Sequence, residues 1–96
     1  MLWHVVSLDA AHLDEPARVK LEAAIDKLRE IDDIHWFHWG RDVERPGTTA
    51  FVAVLVDLDA LKRYRVHPVH LDLVRAIRES GAIVHRLDLD HLPLPS

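Results

Sequence analysis

The chain contains no cysteine, which excludes disulfides, thiol nucleophiles and cysteine-based zinc sites. It has no apolar run long enough to cross a bilayer, and its first residues lack the basic and apolar regions of a signal peptide. Basic residues are also few, because 12 Lys and Arg against 16 Asp and Glu leave a net charge of −4. This balance argues against a nucleic-acid partner or an anionic membrane surface. We therefore expect a soluble, cytoplasmic protein.

The remaining composition is that of one globular domain. Hydrophobic residues make up 49% of the 96 positions, which suffices for a single modest core and is too many for a disordered chain. We expect a folded domain over residues 1–91, followed by a proline-rich tail over residues 92–96.

Hydrophobic periodicity predicts four strands and three helical segments in the order βαββαβ, the second helical unit being split in two. Asp14-Glu15-Pro16 is a helix start with a capping carboxylate, Asp59 is a second candidate cap, and Gly81 is placed to end the last helix. The strands are expected at residues 2–8, 34–43, 49–58 and 82–90, and the helical segments at residues 17–31, 59–66 and 68–79.

This order of elements is typical of a ferredoxin-like α+β fold, a four-stranded antiparallel sheet with helices on one face. Residues 51–56 of the third strand read Phe-Val-Ala-Val-Leu-Val, so both faces of that strand are apolar. Helices can cover only one face, and soluble monomers rarely leave a large apolar face in water. We therefore predict a homodimer in which two sheets pair through their uncovered faces.

The segment from Tyr64 to His70 (Tyr-Arg-Val-His-Pro-Val-His) brings a phenol and two imidazoles close together in sequence. Proline fixes its own φ and disfavours helix for the residue before it. One helix is therefore expected to end near Val66, and the next to begin at Pro68. Tyr64 and His70 then lie on either side of a rigid bend, which is compatible with a functional site and equally with a stiff corner.

Eight histidines are a high count for this length, and histidine is the side chain best suited to proton transfer near neutral pH. His4 and His70 are the strongest candidates, because each falls in an apolar surround without an obvious local partner. His67 is expected to cap the helix that follows it. His35 and His38 are expected on opposite faces of the second strand and so cannot share one site. Structural or solvated positions are expected for the other three, His12, His85 and His91.

Three motifs resemble those of a known family. The element Tyr64-x-x-His67-Pro68-x-His70, after an apolar strand and a capped helix, resembles the signature of the Dabb family, the stress-responsive A/B barrel domain. The opening Trp3-His4-Val5-Val6 is similar to that family as well. The segment Trp39-Gly40-Arg41-Asp42-Val43 resembles the second strand of polyketide cyclases of the olivetolic acid cyclase type. The resemblance spans nearly the whole chain and implies a dimeric α+β barrel.

The resemblance implies an intramolecular aldol condensation that uses no metal or organic cofactor. In such a reaction His70 would remove a proton next to a carbonyl, and Tyr64 would donate a hydrogen bond to the oxygen on which negative charge develops. Asp88 on the last strand would orient the imidazole of His70. The expected ligand is a small apolar carbonyl or polyketide-like compound. Its expected contacts are His4, His35, Phe37 and Arg86.

The chain departs from the cyclase pattern in two places. Ala50 and Phe51 stand where the cyclase has a further pocket histidine, and Arg86 stands where it is apolar, so the cyclase's substrate is not implied. Arg41 and Arg86 either form an anion site or pair with nearby acids.

Two other interpretations of the same residues stay open. One is a dimeric binding or stress-associated module that holds an apolar small molecule without converting it. The other is a metal site on His67 and His70, which is weaker because no acidic residue lies beside them in sequence. A His70 ring that faces an open cavity within reach of Asp88 would favour catalysis over both.

Overall fold

A computed structural model describes residues 1–90 of the chain. His91 and the predicted tail, residues 92–96, lie outside the described residues. The strands are β1 (Leu2–Asp9), β2 (Ile34–Arg41), β3 (Thr48–Leu55) and β4 (Ile83–Asp90), and the helices are α1 (Glu15–Asp26), α2 (Leu58–Val66) and α3 (Pro68–Ser80). A 3-10 turn, Lys27–Glu30, continues α1.

The four strands form one antiparallel sheet in the order β2–β3–β1–β4. In its register, His4 of β1 lies opposite Ala53 of β3 on one side and opposite Asp88 of β4 on the other. The predicted ferredoxin-like βαββαβ fold with a four-stranded antiparallel sheet is thereby confirmed. β2 ends at Arg41, earlier than predicted, because the carboxylate of Asp42 accepts backbone N–H groups of the turn that follows.

Local capping sets the starts of α1 and α2. Asp14 caps α1 by accepting a hydrogen bond from the Ala17 N–H at 2.9 Å. α2 is capped by Asp57, whose carboxylate accepts the Ala60 N–H at 2.9 Å. The predicted cap Asp59 is wrong: β3 ends at Leu55, so Asp59 lies in the first turn of α2.

The bend between α2 and α3 has the predicted form. α2 ends at Val66, and Pro68 is the first residue of α3. His67 has an extended backbone and caps α3, because its Nδ1 accepts a hydrogen bond from the Val69 N–H at 3.1 Å. Gly81 ends α3 with φ 73°, in the left-handed region where glycine avoids the steric cost of a Cβ.

The core lies between the helices and one face of the sheet. Along β1, the buried residues His4, Val6 and Leu8 alternate with more exposed ones, as expected for a strand with one covered face. β3 contributes Phe51 and Leu55 to the same layer. His4 is therefore a polar ring within an otherwise apolar layer.

One carboxylate is also built into this core. Glu22 of α1 is 4% exposed. It accepts hydrogen bonds from the Thr49 hydroxyl at 2.8 Å and from the Arg41 guanidinium at 2.8 and 2.9 Å. Arg41 pairs in addition with Glu15 at 2.6 Å. Of the two roles left open for Arg41, the structure therefore shows pairing with acids, which ties α1 to β2 and β3.

The opposite face of the sheet is not covered by any element of residues 1–90. The cross-strand pairs show that this face is largely apolar. Trp36 of β2 is 51% exposed and Leu87 of β4 is 60% exposed. The central residues of this outer sheet face are Val5, Val52 and Val54. Both faces of β3 are apolar in sequence, and a single subunit covers one of them.

Candidate functional site

A cavity of about 230 Å³ lies between α3 and the strands β1 and β4. Its apolar lining is Val6, Phe51, Leu73, Val74, Ile77 and Val84, and its polar lining is His4, His70, Arg78 and Arg86. The α3 residues follow at three- and four-residue spacing, so they share one helix face. A mostly apolar cavity with a few convergent polar groups is the usual form of a small-molecule site.

His70 is held in the cavity by the end of α2. Its Nδ1 donates a hydrogen bond to the Arg65 carbonyl at 2.9 Å. In a continuous helix that carbonyl would accept the Val69 N–H, but the Val69 N–H is bound to the His67 side chain instead. The bend at Pro68 therefore frees a backbone acceptor, and this acceptor orients the ring. A proton on Nδ1 makes Nε2 the basic nitrogen of a neutral imidazole.

The surroundings of His70 favour its neutral form. Burial is the main cause that lowers the pKa of His70 below its usual 6.5, and the nearby charges of His4, Arg65 and Arg86 lower it further. The hydrogen bond to the Arg65 carbonyl opposes this shift only in part. His70 is therefore predominantly unprotonated at neutral pH, as a general base requires.

His4 and Asp88 form a second polar pair beside His70. The His4 Nδ1 donates a hydrogen bond to the Asp88 carboxylate at 2.5 Å, and Arg65 lies 3.8 Å from the other carboxylate oxygen. Burial lowers the pKa of His4, and the Asp88 hydrogen bond works against that shift. Asp88 was predicted to orient His70. It is bound to His4 instead because β1 and β4 place the two residues directly opposite each other.

Tyr64 packs against both imidazoles. Its ring centroid is 4.5 Å from that of His70 and 5.2 Å from that of His4. The side chain is fully buried, and its hydroxyl has no hydrogen-bond partner within residues 1–90. Burial raises the pKa of Tyr64 well above its usual value, so the hydroxyl remains a donor across the physiological range. Tyr64 is not itself among the residues that line the cavity, but both imidazoles that it contacts are. Buried hydroxyls are nearly always paired, so an unpaired one in contact with two lining residues is a candidate ligand contact.

Two predicted substrate contacts, His35 and Phe37, are not among the residues that line this cavity. His35 is exposed at an irregularity in the pairing of β2 with β3. The Phe37 ring lies 6.0 Å from that of Phe51, under the guanidinium of Arg29 at 4.9 Å. β2 is the edge strand farthest from β4, which separates both residues from the cavity. The other two predicted contacts, His4 and Arg86, do line it.

The geometry gives little support to a metal site on His67 and His70. Their Nδ1 atoms are engaged with the Val69 N–H and the Arg65 carbonyl. Within the described part of the chain, no group of three or more His, Cys, Asp or Glu side chains is arranged to hold a metal ion. In the same residues, no helix is long and apolar enough to span a membrane.

Sequence reasoning missed two features of the site. Arg78 was not singled out, although its position eight residues after His70 on an amphipathic helix places both on one face. The Arg65 carbonyl is a backbone acceptor, and no side-chain pattern reveals it.

A second groove, of about 460 Å³, lies between α1 and α3 and is lined by residues such as Lys20, Lys27 and Asp72. Its lining includes no imidazole from the described part of the chain.

Several solved structures share this fold at low sequence identity. A Deinococcus radiodurans protein, provisionally described as an antibiotic biosynthesis monooxygenase, superposes with a TM-score of 0.81 at 13% identity, covering 100% of this chain and 97% of that one. A dimeric ferredoxin-like protein of unknown function from Jannaschia sp. CCS1 gives 0.76 at 21%, covering 94% and 98%. SnoaB, a cofactor-independent oxygenase from Streptomyces nogalater, gives 0.76 at 16%, covering 99% and 97%.

The sequence comparisons give a family assignment. No curated protein sequence is significantly similar to this chain. The family model of the stress responsive A/B barrel domain, Dabb, matches residues 2–89. That span includes β1, the bend between α2 and α3, and nearly all of β4, and so every residue of the cavity. The chain therefore belongs to the Dabb family.

Proposed function

We propose that this Dabb protein is a cofactor-independent enzyme of the lyase or cyclase type, which removes a proton next to a carbonyl of a small apolar substrate. The observation that carries the proposal is the His70 ring. Its Nδ1 proton is committed to the Arg65 carbonyl, and the ring lines an apolar cavity. The ring also contacts the buried phenol of Tyr64, whose hydroxyl has no hydrogen-bond partner in residues 1–90. These are the parts of a general base and an oxyanion donor.

In the proposed reaction, Nε2 of His70 takes the proton from the carbon next to the carbonyl. The electron pair of the broken C–H bond moves to the carbonyl oxygen, and the Tyr64 hydroxyl donates a hydrogen bond to the resulting enolate. The enolate carbon then attacks a second carbonyl of the same molecule and forms a C–C bond. The imidazolium of His70 returns its proton to the new alkoxide, so the step balances without an external oxidant or reductant.

His4 and Asp88 are proposed to position Tyr64. The His4 ring lies edge-on to Tyr64 with centroids 5.2 Å apart, and its own orientation is fixed by the bond to Asp88. A ring held on both sides keeps the phenol near the place where the enolate oxygen forms. This preorganisation is what makes a hydrogen-bond donor effective in a transition state.

The first test is exchange of the protons next to a ketone carbonyl in D₂O, followed by NMR. A panel of small ketones that includes phenylacetone would be incubated with wild type, His70→Ala and the control His12→Ala, which removes an exposed imidazole of the loop before α1. We expect faster exchange with wild type and His12→Ala, and background exchange with His70→Ala. Equal rates in all three proteins would contradict the proposal.

The same panel separates the alternatives. Binding of a ketone without enzyme-dependent exchange would favour the non-catalytic binding or stress-associated module. Dioxygen consumption that accompanies exchange would instead favour an oxygenase, the activity stated for SnoaB.

We also propose that the protein is a homodimer that pairs through the outer sheet face. The support is the apolar character of that face, with Trp36 and Leu87 more than half exposed in one subunit. Light scattering after gel filtration should give the mass of two copies for wild type and of one copy for Val52→Glu. The control Val19→Glu changes an exposed residue of α1 and should remain a dimer. A monomeric wild type at micromolar concentration would refute this arrangement.

A further inference from the structure

Two arginines of the cavity differ from most arginines of the chain in having no acidic partner among residues 1–90. Of the nine arginines in the sequence, six form ion pairs within residues 1–90, namely Arg18, Arg29, Arg41, Arg63, Arg65 and Arg75. Arg45, Arg78 and Arg86 form none there. Two of these three, Arg78 and Arg86, line the cavity that contains His70.

Arg78 and Arg86 contribute two positive charges to the lining of the cavity. Arg78 is in the last turn of α3, and Arg86 is on β4, two residues from Val84, which also lines the cavity. Among the described residues, the rest of the lining is apolar apart from the two imidazoles and includes no carboxylate. Guanidinium groups bind carboxylates through paired hydrogen bonds.

The acidic residues nearest in sequence do not neutralise these arginines. Asp88 shares a face of β4 with Arg86, but its two oxygens are engaged by His4 and by Arg65. Glu79 follows Arg78 on α3 and lines a different pocket, with Leu13 and Ala17. A basic residue in the last helical turn also interacts favourably with the helix dipole. That effect accounts for an arginine at position 78, but not for one at position 86.

We propose that the ligand of this cavity is a small apolar molecule that carries one carboxylate, held by Arg78 and Arg86. The apolar part lies against Phe51, Leu73 and Val84. The carboxylate lies between the two guanidiniums. This contact also fixes the orientation of the bound ligand in the cavity. As a statement about the substrate this inference rests on the proposed function, but binding of the carboxylate does not require His70 to act as a base.

A bound carboxylate would also act on the two imidazoles. The positive charge of Arg86 lowers the pKa of both His4 and His70. An anion bound to Arg86 would offset that charge, so the pKa of His70 should rise when the site is filled. This shift can be followed by NMR from the ring protons of His70, independently of any turnover.

The test compares phenylacetate with phenylacetamide, which have the same shape and differ in charge. Calorimetry and NMR titration would be carried out on wild type, Arg86→Gln, Arg78→Gln and the control Arg75→Gln, which removes an arginine paired with Asp72 outside the cavity. Wild type and Arg75→Gln should bind the acid at least about tenfold more tightly than the amide. Arg86→Gln and Arg78→Gln should lose that preference and keep their affinity for the amide.

Equal binding of acid and amide by wild type, absence of binding by both, or an equal loss of preference in Arg75→Gln would each overturn the proposal. His70→Ala separates it from the proposed function. If this variant keeps the preference for the acid, and no ketone exchanges faster with wild type than in buffer alone, the carboxylate site stands and the catalytic proposal fails. If exchange depends on His70 while acid and amide bind alike, the catalytic proposal stands and the carboxylate site fails.

Discussion

Replacing Tyr64 by phenylalanine is expected to stabilise the protein and to slow its proposed reaction. The Tyr64 side chain is fully buried, and its hydroxyl has no partner within residues 1–90. Burying a hydroxyl without a hydrogen bond costs roughly 1–3 kcal/mol in proteins. Tyr64→Phe removes this cost and leaves the ring contacts with His4 and His70 in place. A residue near a cavity that lowers the stability of the fold is expected where activity requires a group that the fold alone would not favour.

The expected gain in the free energy of unfolding is about 1 kcal/mol, the lower end of that range. For a domain of this size it corresponds to an increase in Tm of about 4–8 °C. Urea unfolding at one fixed protein concentration measures the gain without interference from a dimer equilibrium. The control Tyr64→Leu removes the ring as well and should destabilise, because it leaves a cavity beside the imidazoles.

The reaction should respond in the opposite direction. Loss of a single oxyanion donor typically slows catalysis about a hundredfold or more, so Tyr64→Phe should lower ketone exchange by that order. A Tyr64→Phe protein that is less stable than wild type by 1 kcal/mol or more would refute the reasoning, because the hydroxyl would then have a stabilising partner.

The remaining predictions concern stability and pH. Glu22→Gln should destabilise by about 2 kcal/mol at neutral pH. Hydrogen bonds with Arg41 lower the pKa of the Glu22 carboxyl. The stabilisation by ionised Glu22 is therefore complete above pH 4.5 and is lost as pH falls through the lowered pKa. Urea unfolding at several pH values should show that the stability of the variant depends less on acid than that of wild type. Gly47→Ala should destabilise strongly, because Gly47 has φ 94° and a Cβ there would lie 2.6 Å from Ala11. Gly40→Ala, with its nearest neighbour at 4.0 Å, is the matched control, and Tm measurements compare the two. Ketone exchange should rise with pH through an apparent pKa below 6.5 and stay level above it, because the pKa of His70 is lowered; a midpoint above 6.5 would count against His70 as the base.

Short sequence features, such as helix caps and the proline and glycine at helix ends, predicted most of the fold. Asp14, Pro68 and Gly81 each act within one turn of chain, so their helix ends could be read from the sequence without any tertiary information. The prediction that Asp59 caps α2 was wrong for a related reason. Asp57 and Asp59 are both good capping residues, and the choice between them depends on where β3 leaves the sheet.

The partners within the site could not be predicted in the same way. Which residue Asp88 meets depends on the register between β1 and β4, two strands that are far apart in sequence. That register places Asp88 opposite His4, while His70 is oriented by a backbone carbonyl. Pattern alone singled out His4, Tyr64 and His70; the two histidines line the cavity, and the Tyr64 ring packs against both of them. Arg78 needed only the helix periodicity of α3 to be found.

The most direct test of His70 as the base is chemical rescue. His70→Ala would be assayed for ketone exchange in D₂O with and without added imidazole, because the variant leaves room for a ring beside Tyr64. We expect background exchange by His70→Ala alone, and exchange that rises with imidazole concentration in the variant but not in wild type. Exchange by His70→Ala at the wild-type rate in the absence of imidazole would contradict the assignment of His70 as the base.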